Sequence, residues 1–284
     1  GQYAGDYRRM VVTLFEHDIY FQSIRRSLPH MLGLFRKLKA GFEYLRAVRY
    51  ELVTLSGFDR VQVCSAENKS YLASFLPALR SRIDDDLRAG IDPRLYEFRG
   101  NGREPQTMLF LGSFRHLPNH HALQWFVQQV MPRVLARKPE ARLIVIGSDP
   151  PPKHSLPDMG AAIEMRGFVE DVREPLGRFA VFVCPILGGS GVRVKLLEAF
   201  AAGIPVVSTR LGAEGLAGED GAICALADEP EAFAARVVRL FDEPEEAEAM
   251  ARRARAEVET KRHVAVITRK LVESYRQAVR AKRG

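Results

Sequence analysis

Gly188-Gly189-Ser190-Gly191-Val192-Arg193-Val194-Lys195-Leu196-Leu197-Glu198-Ala199-Phe200-Ala201-Ala202-Gly203-Ile204-Pro205-Val206-Val207-Ser208-Thr209 decides the fold, because it joins a glycine-rich turn to a helical stretch and then to a second apolar run. The apolar residues just before it, Val181 to Pro185, read as a buried strand. Gly188, Gly189 and Gly191 allow a tight turn at that strand's carboxyl end. A helix is expected to start near Val192. Its first N–H groups have no intrahelical partner and sit at the positive end of the helix dipole, so they are disposed to hold an anion. Arg193 and Lys195 add positive charge nearby.

Outward from this unit, residues 107 to 224 alternate between short β-branched runs and helical stretches, the pattern of a parallel sheet with helices on both faces. Strands are expected at Met108–Leu111, Leu143–Ile146, Ile163–Met165, Val181–Cys184 and Val206–Ser208. Helices are expected at Asn119–Arg137, Asp171–Phe179, Val192–Ala202, Glu229–Phe241 and Pro244–Glu257. Open sheets of this class bind ligands beyond the carboxyl ends of their strands.

The 284 residues, 46% of them hydrophobic, suffice for one large or two ordinary cores. The net charge of +7 suits an anionic ligand, nucleic acid or an anionic membrane without choosing among them. No RNA-binding or helix-turn-helix signature is present, so nucleic acid is not an expected partner. Cys64, Cys184 and Cys224 lack the paired spacing of a zinc site and read as reduced, buried thiols of a cytoplasmic protein. No apolar run is long enough to span a membrane. The chain opens on Gly1 without a signal-peptide pattern, which reads as a piece of something longer.

The segment 188–209 resembles the donor-binding motif of retaining glycosyltransferases with two facing Rossmann-like lobes, the GT-B type of glycosyltransferase family 4. Four further motifs follow the family's order: Met108-Leu109-Phe110-Leu111-Gly112-Ser113-Phe114-Arg115-His116-Leu117-Pro118-Asn119, Leu143-Ile144-Val145-Ile146-Gly147, Met165-Arg166-Gly167-Phe168-Val169-Glu170-Asp171, and Ser208 to Leu216. The resemblance implies an α/β fold, with a doubly wound parallel sheet as donor lobe at 104–262. It also implies an incomplete second Rossmann-like lobe at 1–103 and a C-terminal helix at 263–284 that crosses back to that lobe. A nucleoside-diphosphate sugar would be the donor, and no metal or other cofactor is expected.

By the same resemblance, backbone groups of Gly189, Ser190, Gly191 and Val192, helped by Arg193 and Lys195, would stabilise a departing diphosphate. Glu198 would accept hydrogen bonds from ribose hydroxyls. Gly167, Phe168 and Val169 would present backbone to the base, and Gly212 to Gly215 would wall the sugar pocket. The family's better-known form has glutamates at both positions that here are Ser190 and Glu198, with seven residues between them. Ser113 and Pro118 stand where many members carry arginine and lysine, so Arg115, Arg193 and Lys195 are the local replacements for that charge.

Plainer readings stand beside these. Glu198 also fits a solvated helix face, and Arg193 and Lys195 also fit side chains pointing to water. Ser190 also fits a helix cap. His17 follows the family's catalytic histidine position without coinciding with it and reads as structural. The expected sugar-contacting histidine would lie upstream of Gly1. His120 and His121 read as surface residues, and His116 is a weaker candidate nearer the cleft.

Val11 to Asp18 resembles a late strand of the family's acceptor lobe, Phe58 to Ser65 its last strand and serine, and Arg88 to Asp92 the interlobe turn. Between Phe21 and Tyr50, seven basic residues face Glu43 alone. That stretch reads first as a helix packed on its lobe through an apolar stripe. The alternative is a helix lying on the inner face of an anionic membrane, where a lipid-linked acceptor would be found. In the tail, Val264, Ile267, Leu271, Tyr275 and Val279 form a helical stripe.

The expected activity is sugar transfer with retention to a saccharide, lipid-linked or protein acceptor. A non-catalytic nucleotide-sugar-binding or assembly module is the alternative. An epimerase would need a different set of carboxylates, and an NAD-linked oxidoreductase would need a G-x-G-x-x-G after Gly112 or Gly147.

Overall fold

The computed structural model describes residues 10–28, 33–87, 89–152 and 156–283. Residues 29–32 and Arg88, inside two of the segments read above, lie outside the described residues. The chain divides into two compact units. One comprises the described residues within 1–90, 188–192 and 264–284, and the other those within 91–187 and 193–263.

In the first unit, β1 (Thr13–Phe15), β2 (Arg60–Gln62) and β3 (Ile83–Asp84) form a parallel sheet in that order, with Thr13 opposite Arg60 and Val61 opposite Ile83. Helices α1 (Tyr20–Ser27), α2 (Leu34–Ser56) and α3 (Ala66–Phe75) accompany it. Ser65, extended at the start of α3, accepts the Asn68 N–H at 3.1 Å and caps that helix. Phe21, Ile24, Leu55, Val61, Leu72 and Ile83 form the centre of the core.

Helix α2 meets this core through Ala47, Glu51 and Leu55, with Tyr44, Val48 and Leu52 partly covered. The packing face is therefore not the stripe of Leu34, Leu38, Phe42 and Leu45, which is exposed. The helix carries apolar residues on two opposite faces, and only one is used.

In the second unit, β4 (Glu104–Leu111), β5 (Arg142–Ile146), β6 (Ile163–Gly167), β7 (Phe179–Cys184), β8 (Val206–Ser208) and β9 (Ala225–Leu226) form one wholly parallel sheet. The strand order is β6-β5-β4-β7-β8-β9. Met108–Leu111, Leu143–Ile146 and Val181–Cys184 are buried throughout, as strands covered on both faces must be. Because β4 and β7 are neighbours while the chain moves outward from each in opposite directions, the topological switch point falls between them.

Helices α4 (Leu117–Trp125), α5 (Met131–Leu135), α6 (Arg173–Arg178), α7 (Val194–Ala202), α8 (Pro230–Asp242) and α9 (Pro244–Glu257) flank this sheet. The single helix expected over Asn119–Arg137 is interrupted by a π-helical stretch at Phe126–Val130. Pro132 is the cause: it has no N–H to give and its ring crowds the carbonyl four residues back.

Residues 91–103 belong to the second unit, not to the segment 1–103 expected for the first. They are tied there by backbone bonds from Ile91 N to Arg262 O (2.9 Å) and Arg99 N to Ala202 O (3.3 Å). Helix α10 (Val264–Arg283) belongs to the first unit. It packs through Ile267, Ser274 and Ala278, while Val264 and Val279 of the expected stripe are exposed. Ser274 donates to Asp84 at 2.6 Å and Lys270 pairs with Asp86 at 2.7 Å, so polar contacts fix the register that the apolar pattern misplaced.

Candidate functional site

The loops after β4 and β5, beside the switch point, are locked together. Gly112 N donates to Ile146 O at 3.0 Å, Phe114 N donates to Ser148 O at 3.0 Å, and the Ser148 hydroxyl donates to Ser113 Oγ at 2.9 Å. Gly147 is required here, since a Cβ on it would lie 1.7 Å from Gly112 O.

Lys195 enters this arrangement from α7. Its ammonium donates to Leu111 O at 2.8 Å and Asn119 Oδ1 at 3.0 Å, and lies 5.3 Å from the centre of the Phe110 ring. Asn119 Nδ2 in turn donates to Ser113 O at 2.8 Å. Desolvation by burial lowers the Lys195 pKa. The side chain points neither to water nor outward as a bare cation; it braces the loop after β4 from beneath.

Helix α7 starts at Val194, two residues later than expected. Arg193 is its N-cap residue, extended at φ −87° and ψ 98°, and its carbonyl accepts the Leu196 N–H at 2.9 Å. Ser190 is therefore not the cap. One turn into α7, Glu198 is half-buried, and its Oε1 accepts a 3.0 Å hydrogen bond from the Tyr96 hydroxyl. Burial raises the Glu198 pKa, and the bond from Tyr96 opposes that shift. The Tyr96 pKa is also raised, by burial first and then by the charge of Glu198. The hydrogen bond donated by Tyr96 holds the Glu198 carboxyl in a fixed orientation.

Arg115 spends its charge differently from expectation. Its Nε donates to Asp149 Oδ2 at 2.7 Å, and both side chains are exposed, so the pair is locally neutral. At the end of β6, the Gly167 carbonyl accepts the Gly147 N–H at 2.8 Å, Phe168 is exposed and Val169 is half-buried. In the stretch after β8, Gly212 N donates to Thr209 Oγ1 at 2.9 Å, Thr209 Oγ1 donates to Ile186 O at 2.6 Å, and Arg262 donates to Gly215 O at 2.7 Å. His116 precedes α4 and is exposed, and the rings of His120 and His121 meet edge to face at 6.1 Å.

The turn 188–192 groups with the first unit. Ser190 Oγ accepts the Ile19 N–H at 3.1 Å and donates to the Asp18 carboxylate, and Arg26 donates to Gly189 O at 3.0 Å. Gly191 has φ +79°, and a Cβ there would lie 2.8 Å from His17 O. The His17 ring rests edge-on against Phe15 at 4.0 Å, a structural contact. Val192 is half-buried.

Tyr96 and Asp149 were not singled out from sequence, although each is the partner of a residue that was; Asn119 was read as part of the motif at 108–119, without Lys195 as its partner. Tyr96 lies 102 positions from Glu198, and no local pattern links them. Among the described residues, no group of three His, Cys, Asp or Glu side chains is arranged to hold a metal ion.

Residues 105–243 match the model of the family described as Glycosyl transferases group 1. An uncharacterized 44.6 kDa protein of the cps region of Klebsiella pneumoniae is 27% identical over 143 residues, covering 46% of this chain and 36% of that protein. A phosphatidyl-myo-inositol mannosyltransferase of Mycolicibacterium smegmatis is 26% identical over 150 residues, covering 51% of this chain and 38% of the relative. The aligned segment thus spans little more than a third of these relatives' length.

Among solved structures, sucrose-phosphate synthase from Thermosynechococcus elongatus superposes with a TM-score of 0.72 at 16% identity, covering 95% of this chain and 68% of that one. The Anabaena protein HepE in complex with UDP superposes with a TM-score of 0.69 at 14% identity, covering 95% and 73%. At such identities the likeness establishes the fold alone: parallel α/β, Rossmann-like, as in GT-B glycosyltransferases.

Proposed function

We propose that the chain belongs to a glycosyltransferase of glycan synthesis, and that its second unit holds a nucleoside-diphosphate sugar for transfer to an acceptor hydroxyl with retention. The family match over 105–243 supports the transferase reading. The observation that carries the donor reading is Glu198: a half-buried carboxylate one turn into α7, its orientation fixed by Tyr96. HepE, of the same fold, has been solved with UDP and with UDP-glucose.

Glu198 is assigned the ribose hydroxyls, since an ionised carboxylate accepts two hydrogen bonds from a vicinal diol. The N–H groups at the start of α7, with the Arg193 guanidinium, are assigned the diphosphate; Gly189 to Val192 group with the first unit and stand outside this assignment. Preorganised donors of this kind stabilise charge that develops on a leaving group without reorganisation. Lys195 acts through the loop it braces and is a positioning residue. Gly167, Phe168 and Val169 are assigned to the base, and Gly212 to Gly215 to the sugar. Arg115, paired with Asp149, is assigned no phosphate.

Calorimetric titration with UDP, GDP, ADP and CDP tests the reading. One nucleotide is expected to bind at micromolar strength, and Glu198→Ala to weaken it roughly ten- to hundredfold, the worth of hydrogen bonds to a charged group. A folded protein that binds none of the four would overturn the donor assignment.

A further inference from the structure

The carboxyl of Glu198 hangs on a single protein contact. Its Oε1 accepts from the Tyr96 hydroxyl at 3.0 Å, and among the described residues no other group hydrogen-bonds it and no cation pairs with it. The last torsion of a glutamate, which sets the plane of its carboxyl, has a broad intrinsic preference. The bond from Tyr96 is therefore what fixes that plane, and Oε2 is left open to a ligand.

Tyr96 is itself built in. It follows the 3-10 turn Pro93–Leu95, and the Pro93 carbonyl accepts its N–H at 3.0 Å. Its own carbonyl accepts Arg255 Nη1 at 3.0 Å, and the same nitrogen donates to Ala201 O near the end of α7. Two residues on, the Phe98 ring lies so close to Gly203 that a Cβ there would come within 2.5 Å of it. Arg103 Nη2 donates to Ala202 O at 3.1 Å. The segment carrying Tyr96 is thus tied to the carboxyl end of α7, and the half-buried phenol reaches back one turn along that helix to Glu198.

A vicinal diol gives a carboxylate two parallel hydrogen bonds only when the carboxylate edge faces both hydroxyls at once. A sugar with one hydroxyl needs one oxygen and tolerates a turned plane. Fixing the plane before the ligand arrives therefore favours the diol, because the side chain is already ordered. We propose that Tyr96 determines specificity through Glu198: by fixing the carboxyl plane, it makes the site select ribonucleotides over 2′-deoxyribonucleotides. Tyr96 is a positioning residue in this role. The inference rests on the assignment of Glu198 to the ribose.

Calorimetry of the full chain with UDP, GDP, ADP and CDP, and with the 2′-deoxy counterpart of each, tests this. For the nucleotide that binds, the parent is expected to hold the ribo form at least about tenfold tighter, the worth of one hydrogen bond to a charged group. Tyr96→Phe is expected to weaken the ribo form about three- to tenfold, as the ligand must now order the carboxyl itself, and the 2′-deoxy form less than about twofold. The preference is a ratio measured on one preparation, so an unfolded fraction cancels from it. In a Glu198→Ala background, Tyr96→Phe should change neither affinity, since its route to the ligand is gone. A preference in Tyr96→Phe equal to the parent's would overturn the inference whatever the melting temperature does. So would a loss of affinity that is the same with and without Glu198, which would make Tyr96 a support of the fold alone. A parent that binds ribo and 2′-deoxy forms alike would also overturn it, while leaving the nucleotide assignment standing. Binding of no nucleotide in either series would overturn both.

Discussion

Lys195 shows how far a charged side chain can be from what its charge suggests. Its ammonium satisfies the Leu111 carbonyl and the Asn119 side-chain oxygen at the end of the central strand. Removing it strands two acceptors that water reaches poorly, and an unmet buried acceptor costs about 1–3 kcal/mol. Lys195→Ala is therefore expected to destabilise the protein by about 2 kcal/mol, read as a lower denaturant midpoint at unchanged slope. An unchanged midpoint would show that the lysine does not brace the loop. Lys195→Arg should not rescue, because a planar fork cannot reproduce the point contact of an ammonium. The type and position of Lys195 were legible in the sequence, but its direction was not: a basic residue beside a helix start can face solvent or strand end, and only packing chooses. Glu198 was legible to the extent that the motif placed it on α7. Its partner Tyr96 was not, since the hydrogen bond joins residues 102 apart.

Strand and helix positions followed from periodicity where burial is two-sided. The runs Met108–Leu111, Leu143–Ile146 and Val181–Cys184 lie in strands, and α9 has the bounds expected for it. Periodicity failed where two faces of one element are apolar, as in α2, or where polar contacts set the register, as Ser274 and Lys270 do in α10. The close approach of the loops after β4 and β5 was also beyond sequence reasoning, since a lone glycine after a strand does not say what passes over it. The 1.7 Å separation between a hypothetical Cβ of Gly147 and Gly112 O means that no side chain fits without parting the two loops. Gly147→Ala is expected to cost about 3 kcal/mol, at the upper end of overpacking effects, because backbone cannot yield as a flexible side chain can. Thermal unfolding would measure it, and a variant as stable as the parent would refute the close approach. The same variant should lose the nucleotide affinity proposed above, since the loop after β4 would move with Gly112.

At the scale of the whole molecule, the first unit carries an electrostatic cost that makes stability depend on pH. Glu16 and Glu51 are each raised to about 7, chiefly by burial, with the charge of Asp18 adding to the shift at Glu16 and that of Glu16 to the shift at Glu51. Glu51 is tied down by the backbone N–H groups of Tyr20 and Phe21 at the start of α1, while its Oε2 is buried without a hydrogen-bond partner. The fold thus uses this carboxyl as a cap but gives its charge poor company. For an acid whose folded pKa lies above its unfolded value of about 4.5, the folded state holds protons that the unfolded state has released. The stability these groups contribute is complete below about pH 4.5 and is lost as pH rises through about 7, so they favour the folded state at mildly acidic pH. The melting temperature is expected to fall between about pH 5 and about pH 8, opposite in sign to the usual effect of salt-bridged carboxylates. Glu51→Gln keeps an oxygen to accept the α1 N–H groups and removes the charge, which also relieves Glu16. It should flatten the profile and raise the melting temperature at about pH 8 while leaving it nearly unchanged at about pH 5. A variant whose profile keeps the parent's slope would show that these two carboxyls are ionised at no cost, and that the pH response of the fold arises elsewhere.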